Sequence, residues 1–387
     1  MQPIETHGAA TLSLPFVILG NPENRRLTLF QAALRSEGFA PARVVPWLEL
    51  LEDPKALERV DLAQCWFRID AAGENFEVER ALLTLGARKA KAAKVSTVSA
   101  SAIAALGEDR GRILAPAQAH LGFGVALRRV ERLLAKRPGW RQLNPVPEIL
   151  ELFDKRRTSA RFAAAGIPVP ESLGRIRTVA ELDAKMEAQQ IPAVFVKLSS
   201  GSSASCLGIY RRPGAFHTTI EQADTGWYNT LRIRHVRDRG RIEELLTFLL
   251  REGAQVERSI PKARFASAFF DLRVLCVAGE PAFVVVRQNR HPITNLHLGG
   301  WRGALDGLKA VIPARAWDSA MDSCRKVAAL YRSLHLGIDL MFEPDWARHR
   351  ILEANAFGDL LPNLSHQGKN VWEWELHTLK HWHRGTQ

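Results

Sequence analysis

Gly337-Ile-Asp-Leu-Met-Phe342 and Arg350-Ile-Leu-Glu-Ala-Asn355, separated by a turn at Pro344-Asp345, read as a β-hairpin. Alternate side chains of a strand share a face, so Glu353 and Asn355 point the same way. Asp339 stands on the partner strand among Ile338, Leu340 and Phe342, where an unpaired carboxylate is costly. A carboxylate opposite Glu-x-Asn offers hard oxygen ligands, which suit magnesium bound together with phosphates. An ion pair between Asp339 and a nearby arginine is the alternative.

Upstream, Ala193-Val-Phe-Val-Lys-Leu198 is an apolar strand that carries Lys197 into the loop Ser199-Ser-Gly-Ser-Ser-Ala-Ser205. Buried lysines are rare unless paired, and a nucleotide phosphate is a good partner. The small residues Ser200, Gly201 and Ser202 let backbone N–H groups approach phosphate oxygens. No Gly-Lys-Ser or Gly-Lys-Thr follows, so this is not a Walker A loop, and a plain connection is the other reading. Phe265 to Ala278 and Ala282 to Gln288 are β-rich runs joined at Gly279-Glu280-Pro281, which reads as a second hairpin. Asp271 and Arg273 share a face of the first run, and Arg287 lies on the second. The loop Asn289-Arg290-His291 and the segment Asn295-Leu-His297 with Gly299-Gly300 come next. Converging arginines suit a transferred phosphate or a developing oxyanion, although each alone also reads as a surface ion pair.

Nearer the start, Leu14-Pro-Phe-Val-Ile-Leu-Gly20, the amphipathic stretch Arg25 to Glu37 and Ala42-Arg-Val-Val45 suggest strand, helix and strand of an open parallel α/β unit. Cys65-Trp-Phe-Arg-Ile69 adds a strand; at its end Arg68 and Asp70 either touch substrate or pair with each other. Only Gly20 stands where a dinucleotide fold wants GxGxxG, so nothing points to nicotinamide. From about 74 to 165 the pattern is mostly helical, broken at Asn144-Pro-Val-Pro147, with Glu148 to Ala165 as one helix before Gly166. Arg211 to Gly253 is polar and basic and reads as helical, with a role in holding substrate. In the tail, His377 and His381 stand at a spacing that suits zinc, or one face of an amphipathic helix that also carries His383.

The chain has 387 residues, 46% hydrophobic and 24% charged, so it folds and is not mainly disordered. Cys65, Cys206, Cys276 and Cys324 are scattered with no CxxC pair, which excludes a disulfide framework or zinc knuckle and fits a reducing cytoplasm. The longest apolar runs fall far short of the roughly 20 residues of a membrane helix, and no secretory signal is expected. The net charge of +12 suggests an anionic ligand or nucleic acid, or a solvated cationic face. No aromatics alternate with Arg232, Arg234, Arg237, Arg239 and Arg241, as a single-strand stacking platform requires.

Together, in this order, these motifs resemble the ATP-grasp superfamily, and within it the ribosomal-protein S6 glutamate ligase branch, over roughly residues 144 to 360. Asp154-Lys155 with Ala165-Gly-Ile-Pro-Val-Pro170 is similar to the family's entry helix, whose lysine contacts ATP. Phe195-Val-Lys-Leu198 resembles the second ATP lysine and its phosphate-covering loop. Gln255-Val-Glu-Arg-Ser-Ile260 is similar to the hinge that reads adenine, with Glu257 as its acidic residue. Pro261-Lys262, Asp271-Leu-Arg273, Arg287 and Asn295-Leu-His-Leu-Gly-Gly300 resemble the path to the active site.

The resemblance implies an α/β (α+β) protein: an N-terminal open α/β pre-ATP-grasp domain (1–143), then a two-lobed ATP-grasp fold with antiparallel sheets (144–387). The lobes would be 144–254, with the basic insert, and 255–387, with the metal site. It implies an ATP-dependent carboxylate–amine ligase. A substrate carboxylate would become an acyl phosphate, and an amine would displace phosphate to form a C–N bond, or an ester where a hydroxyl attacks. Lys155, Lys197, Ser200, Gly201, Ser202, Glu257, Ile260, Lys262 and Asn295 would hold ATP. Asp339, Glu353 and Asn355 would hold Mg2+ (or Mn2+), and Arg273 and Arg287 would neutralise the acyl phosphate and oxyanion. The expected partners are small-molecule or peptide carboxylates and amines, with no membrane and no nucleic acid, and self-association is common among relatives. The competing functions are an ATP-grasp-like kinase or phosphotransferase and, on charge alone, a nucleic-acid-binding protein.

Overall fold

The computed structural model describes residues 14–200, 205–212, 214–358 and 361–382. In the N-terminal part, β1 (Phe16–Gly20) and β3 (Cys65–Ile69) are buried at every position. Continuous apolar runs of this kind belong to parallel sheets covered on both faces. α1 (Arg25–Ser36) starts where the Asn24 side chain accepts from the Arg26 amide, and it leads to β2 (Arg43–Pro46). After α2 (Phe76–Ala93) and the short β4 (Arg112–Ile113), α3 (Pro116–Leu134) leads to β5 (Trp140–Gln142). The order is β2-β1-β3-β5, all parallel. Arg68 is a buried ion-pair residue bonded to Asp70 (2.9 Å) and Glu375 (2.6 Å), so the pairing alternative describes it.

α2 and α3 meet backbone to backbone at Gly86 and Gly122. A Cβ on Gly122 would lie 1.9 Å from the Leu82 carbonyl oxygen, and one on Gly86 would lie 2.0 Å from that of Gln118.

The expected single helix over 148–165 is two helices, α4 (Val146–Leu152) and α5 (Lys155–Ala164). Asp154 is the cause: its side chain accepts from the amides of Arg156 and Arg157 and from Ser199 Oγ, which caps a new helix instead of continuing the old one. α6 (Val179–Ala188) follows. The second sheet contains β6 (Ala193–Leu198), β7 (Leu207–Arg211), β8 (Ala215–Ala223), β9 (Gly226–Val236) and, after α7 (Arg239–Arg251), β10 (Ala254–Arg258). Its order is β10-β6-β7-β8-β9-β4, antiparallel throughout. The helical reading of 211–253 is therefore corrected. Only 239–251 is helix, and 215–236 is a hairpin in which Phe216, Thr218 and Ile220 face inward and the arginines of β9 face solvent. Exposed arginines fit either element; β-branched inward residues decide for the strand.

The third sheet has the order β14-β13-β12-β15-β16, with β11 (Arg264–Phe265) paired to β12. Its members are β12 (Ala268–Val277), β13 (Glu280–Asn289), β14 (Trp301–Gly303) and, after α8 (Ala314–Ala329), β15 (His335–Phe342) and β16 (His349–Asn355). The β12–β13 turn is Ala278-Gly279, both with positive φ, one residue earlier than expected. One face is apolar: Phe270, Leu272, Val274, Ile338, Leu340 and Phe342 pack with Cys324 and Val327 of α8. The other face carries the polar residues of the same strands. A bulge interrupts β15–β16: Asp339 pairs with Glu353 and Leu340 with Ile351, leaving Leu352 without a partner.

The C-terminal α9 (Val371–Leu379) holds His377, which stacks on Trp374, while His381 lies beyond its end and His383 lies outside the described residues. All four cysteines are free and buried. No helix among the described residues is long and apolar enough to cross a membrane.

Replacing an exposed helical glycine with alanine gains about 1 kcal/mol. At Gly122 the sign reverses, because the methyl group meets a carbonyl, and overpacking costs about 1–3 kcal/mol. Gly122→Ala should lower the urea midpoint; a raised midpoint would show that the helices can separate at no cost.

Candidate active site

The strand register assembles the site. On the polar face of the third sheet, Arg273, Asp339 and Glu353 stand side by side on β12, β15 and β16. Arg287 of β13 stands opposite Asp271 of β12. All four of Asp271, Arg273, Arg287 and Asp339 are buried, so their charges need partners. Arg273 grips Asp339 through Nε and, at 3.1 Å, through Nη2. Arg287 donates to Asp271 at 2.7 Å and reaches Asp339 at 3.1 Å. Lys262 Nζ joins from the loop before β11, 2.9 Å from Asp271 and 2.8 Å from Thr294 Oγ1.

The opposite wall comes from the second sheet. Lys197 Nζ of β6 lies 3.0 Å from Glu257 Oε1 on the neighbouring β10 and donates to the Leu352 carbonyl at 3.2 Å. Lys155, the first residue of α5, lies 3.5 Å from Glu353 Oε2. Its own amide donates to the Ser199 carbonyl at 3.0 Å, which ties the start of α5 to the turn after β6. Asn355 sits beside Glu353, with Nδ2 3.4 Å from the Gly337 carbonyl.

The electrostatics follow from this crowding. Burial alone would raise the Glu353 carboxyl, but Lys155, Lys197, Arg273 and Arg287 hold it down to about 2. Burial also opposes ionisation of Asp271, yet Arg287 and Lys262 keep it below the ordinary carboxylate range. Burial works against the Lys197 ammonium, and Glu257, Glu353 and Asp339 more than restore it. Five cations (Lys155, Lys197, Lys262, Arg273, Arg287) face four carboxylates (Glu257, Asp271, Asp339, Glu353), an excess that favours an anionic ligand.

The structure thus brings Lys155, Lys197, Glu257, Lys262, Arg273, Arg287, Asp339, Glu353 and Asn355 to one region. Ser200 lies in the turn directly after β6, and Ile260 is half-buried just beyond β10. Asn295 caps a short turn, its side chain accepting from the His297 amide at 2.8 Å. Gly201 and Ser202 lie outside the described residues. Two participants had no sequence signal: the Leu352 carbonyl, freed by the bulge, and Thr294, whose hydroxyl completes the Lys262–Asp271 contact. As for a metal, Glu353 and Asn355 present hard oxygens two residues apart, whereas both Asp339 oxygens are taken by arginines. Among the described residues no three His, Cys, Asp or Glu side chains form a metal-holding group. Two oxygen donors still fit an ion that keeps waters and binds phosphates, as magnesium does.

Glu353 drops from an ordinary 4.5 to about 2, so its stabilisation is complete above 4.5 and disappears as acid approaches 2. The loss should reach about 3 kcal/mol. Urea midpoints should fall across that window in the wild type and less steeply in Glu353→Gln; equal slopes would show that Glu353 is not charged against the lysines.

No protein-family model matches the sequence, and no curated protein does. Among solved structures the chain is similar to the D-cycloserine synthetase DcsG, at 15% identity over 95% of this chain and 99% of that one, with a TM-score of 0.53. It is similar to the ATP-grasp ligase PsnB complexed with minimal precursor, Mg and ADP, at 12% identity over 99% of each chain and a TM-score of 0.52. It is also similar to a Chryseobacterium gregarium RiPP-associated ATP-grasp ligase in complex with ADP and a leader and core peptide. That match has 13% identity over 95% and 96% of the two chains and a TM-score of 0.54. These matches run over nearly the whole of each chain, and with its parallel N-terminal sheet followed by two antiparallel sheets this chain has the ATP-grasp fold.

Proposed function

We propose that the chain is an ATP-dependent carboxylate–amine ligase that works through an acyl phosphate on an amino acid or peptide, in the manner of the ribosomal-protein S6 glutamate ligases. One observation carries this reading: cations from both antiparallel sheets converge with Glu353 and Asn355 on one polar face. Lys155 and Lys197 bind the nucleotide phosphates, and Ser200, Gly201 and Ser202 are assigned to the same phosphates from the sequence. Glu257 to Ile260 form the adenine-reading hinge, and Lys262 and Asn295 complete the nucleotide contacts. Glu353 and Asn355 would hold the magnesium ion, and Asp339, bound to Arg273 and Arg287, would stand beside it. The ion supplies neutralisation of phosphate oxygens.

The chemistry asks the protein for position and charge, not for a nucleophilic side chain. A carboxylate oxygen of the substrate bonds to the γ-phosphorus as ADP leaves. The amine nitrogen then adds to the acyl carbon, phosphate departs, and the amine proton passes to solvent. Arg273 and Arg287, paired to Asp339 and Asp271, place fixed positive charge beside the negative charge that develops. The sequence agrees, having no GxSxG or HExxH motif. Precursor, leader and core peptides bound to similar structures support a peptide substrate.

Glu353→Gln should lower ATP turnover at least about 100-fold, in a protein that still unfolds cooperatively although its neutral-pH unfolding midpoint falls with the loss of the charged Glu353. Unchanged metal-dependent turnover would remove the metal assignment. Lys197→Ala should weaken a non-hydrolysable ATP analogue about tenfold or more by calorimetry. A kinase would use the same nucleotide wall, so mass detection of products across amino acids and short peptides decides: a condensed product with ADP and phosphate means ligase, a phosphorylated one means kinase.

A further inference from the structure

Beyond the polar face lies a second cluster of side chains for which the ligase scheme has no use. His217 of β8 and His235 of β9 are directly opposite each other in the hairpin. His291 reaches them from the loop after β13, so the three rings join the second sheet to the third. Ring centres are 4.3 Å apart for His217 and His235, 5.3 Å for His217 and His291, and 5.8 Å for His235 and His291. The Nδ1 atom of His291 accepts from the Ile293 amide at 3.2 Å. A neutral His291 therefore carries its proton on Nε2, which lies 3.2 Å from His217 Nδ1 and donates to it. His217 is left with its proton on Nε2, a donor pointing out of the pair.

The charged surroundings are of one sign. Burial and then the neighbouring imidazoles, Lys262 and Arg211 push His291 down to about 4. Burial, His235, Arg211 and Arg237 lower His217. Among the described residues, no carboxylate is a main influence on either ring. Lys262 is already bound to Asp271, but Arg211 and Arg237 are exposed and have no carboxylate partner among the described residues. Three residues after His291, Thr294 contacts Lys262 and Asp271 of the proposed active site. A one-sign group of donors beside a catalytic cleft, half-open to solvent, recognises an oxyanion.

We infer that His217, His235 and His291, with Arg211 and Arg237, bind a carboxylate of the acceptor substrate, so that the enzyme prefers acidic peptides. This deepens the ligase reading and depends on it only for calling the ligand a substrate. An anion placed here counters the neighbouring cations that, after burial, depress His217 and His291, so binding takes up protons and strengthens as pH falls toward the His291 value of about 4.

The test is histidine-ring NMR on the full chain, titrated with acetyl-triglutamyl amide and, separately, with inorganic phosphate. Saturable movement of the three ring signals by the peptide, weakened at least about fivefold in His235→Gln and Arg237→Gln, is the expected result. Both positions are exposed and outside the proposed catalytic groups, so the fold and turnover of a neutral acceptor should survive. Unmoved rings, unchanged affinity in both variants, or phosphate binding as tightly as the peptide would each overturn the assignment. Ring shifts without any ligation would leave the binding site standing and remove the ligase reading. Ligation of neutral acceptors with unmoved rings would do the reverse.

Discussion

The polar face of the third sheet is arranged around a ladder of buried charge: Arg287, Asp271, Arg273 and Asp339, cross-linked over three strands. Each of these groups has left water, a loss that only a close, multiply bonded partner can offset. Because Arg287 bonds both aspartates, no pair in the ladder is independent, and deleting Arg287 or Asp339 takes a partner from two others. The ladder is therefore rigid in a way that an exposed set of the same residues would not be. Such rigidity suits the role proposed for the two guanidinium groups, which would need no reorganisation when negative charge appears.

The ladder can exist because the reverse side of the same strands is dry. Phe270, Leu272, Ile338 and Leu340 alternate with the charged residues and are sealed by α8. Side chains of that size each contribute about 1.5–3 kcal/mol on burial, enough to offset an expensive opposite face. The N-terminal sheet shares this core: Val17 and Phe67 belong to the same apolar cluster as Leu272 and Ile338. The first lobe differs, since its main core, around Val196 and Leu249, is separate. Among the described residues, polar contacts such as Lys197 to Leu352, and a small apolar group including Ile209 and Ile293, tie it across the cleft.

Much of this was legible in the chain. Period-two alternation around Asp339 and Glu353 located the hairpin and its polar face, and apolar runs at 16–20 and 65–69 located the parallel sheet. What escaped was set by interactions between distant residues. Asp154 ends a helix partly because Ser199, far away in sequence, needs its carboxylate. Arg234 and His235 look equally at home on a helix or a strand until Phe216 and Ile220 are seen to share their hairpin. Asp339 offers the same oxygens to a metal or to arginine, and only the register of β12 against β15 shows that arginine is already there.

The bulge at Leu352 separates two things that a strand normally keeps together. In an unbroken strand Ile351, Glu353 and Asn355 would all lean the same way; here Ile351 goes into the oily side and the other two into the cleft. A chain lacking Leu352 would sort those side chains just as well, with even pleating from end to end. It would lose only a carbonyl with no strand partner, the one that receives the Lys197 ammonium. The surplus residue thus owes its place to a hydrogen bond and not to packing.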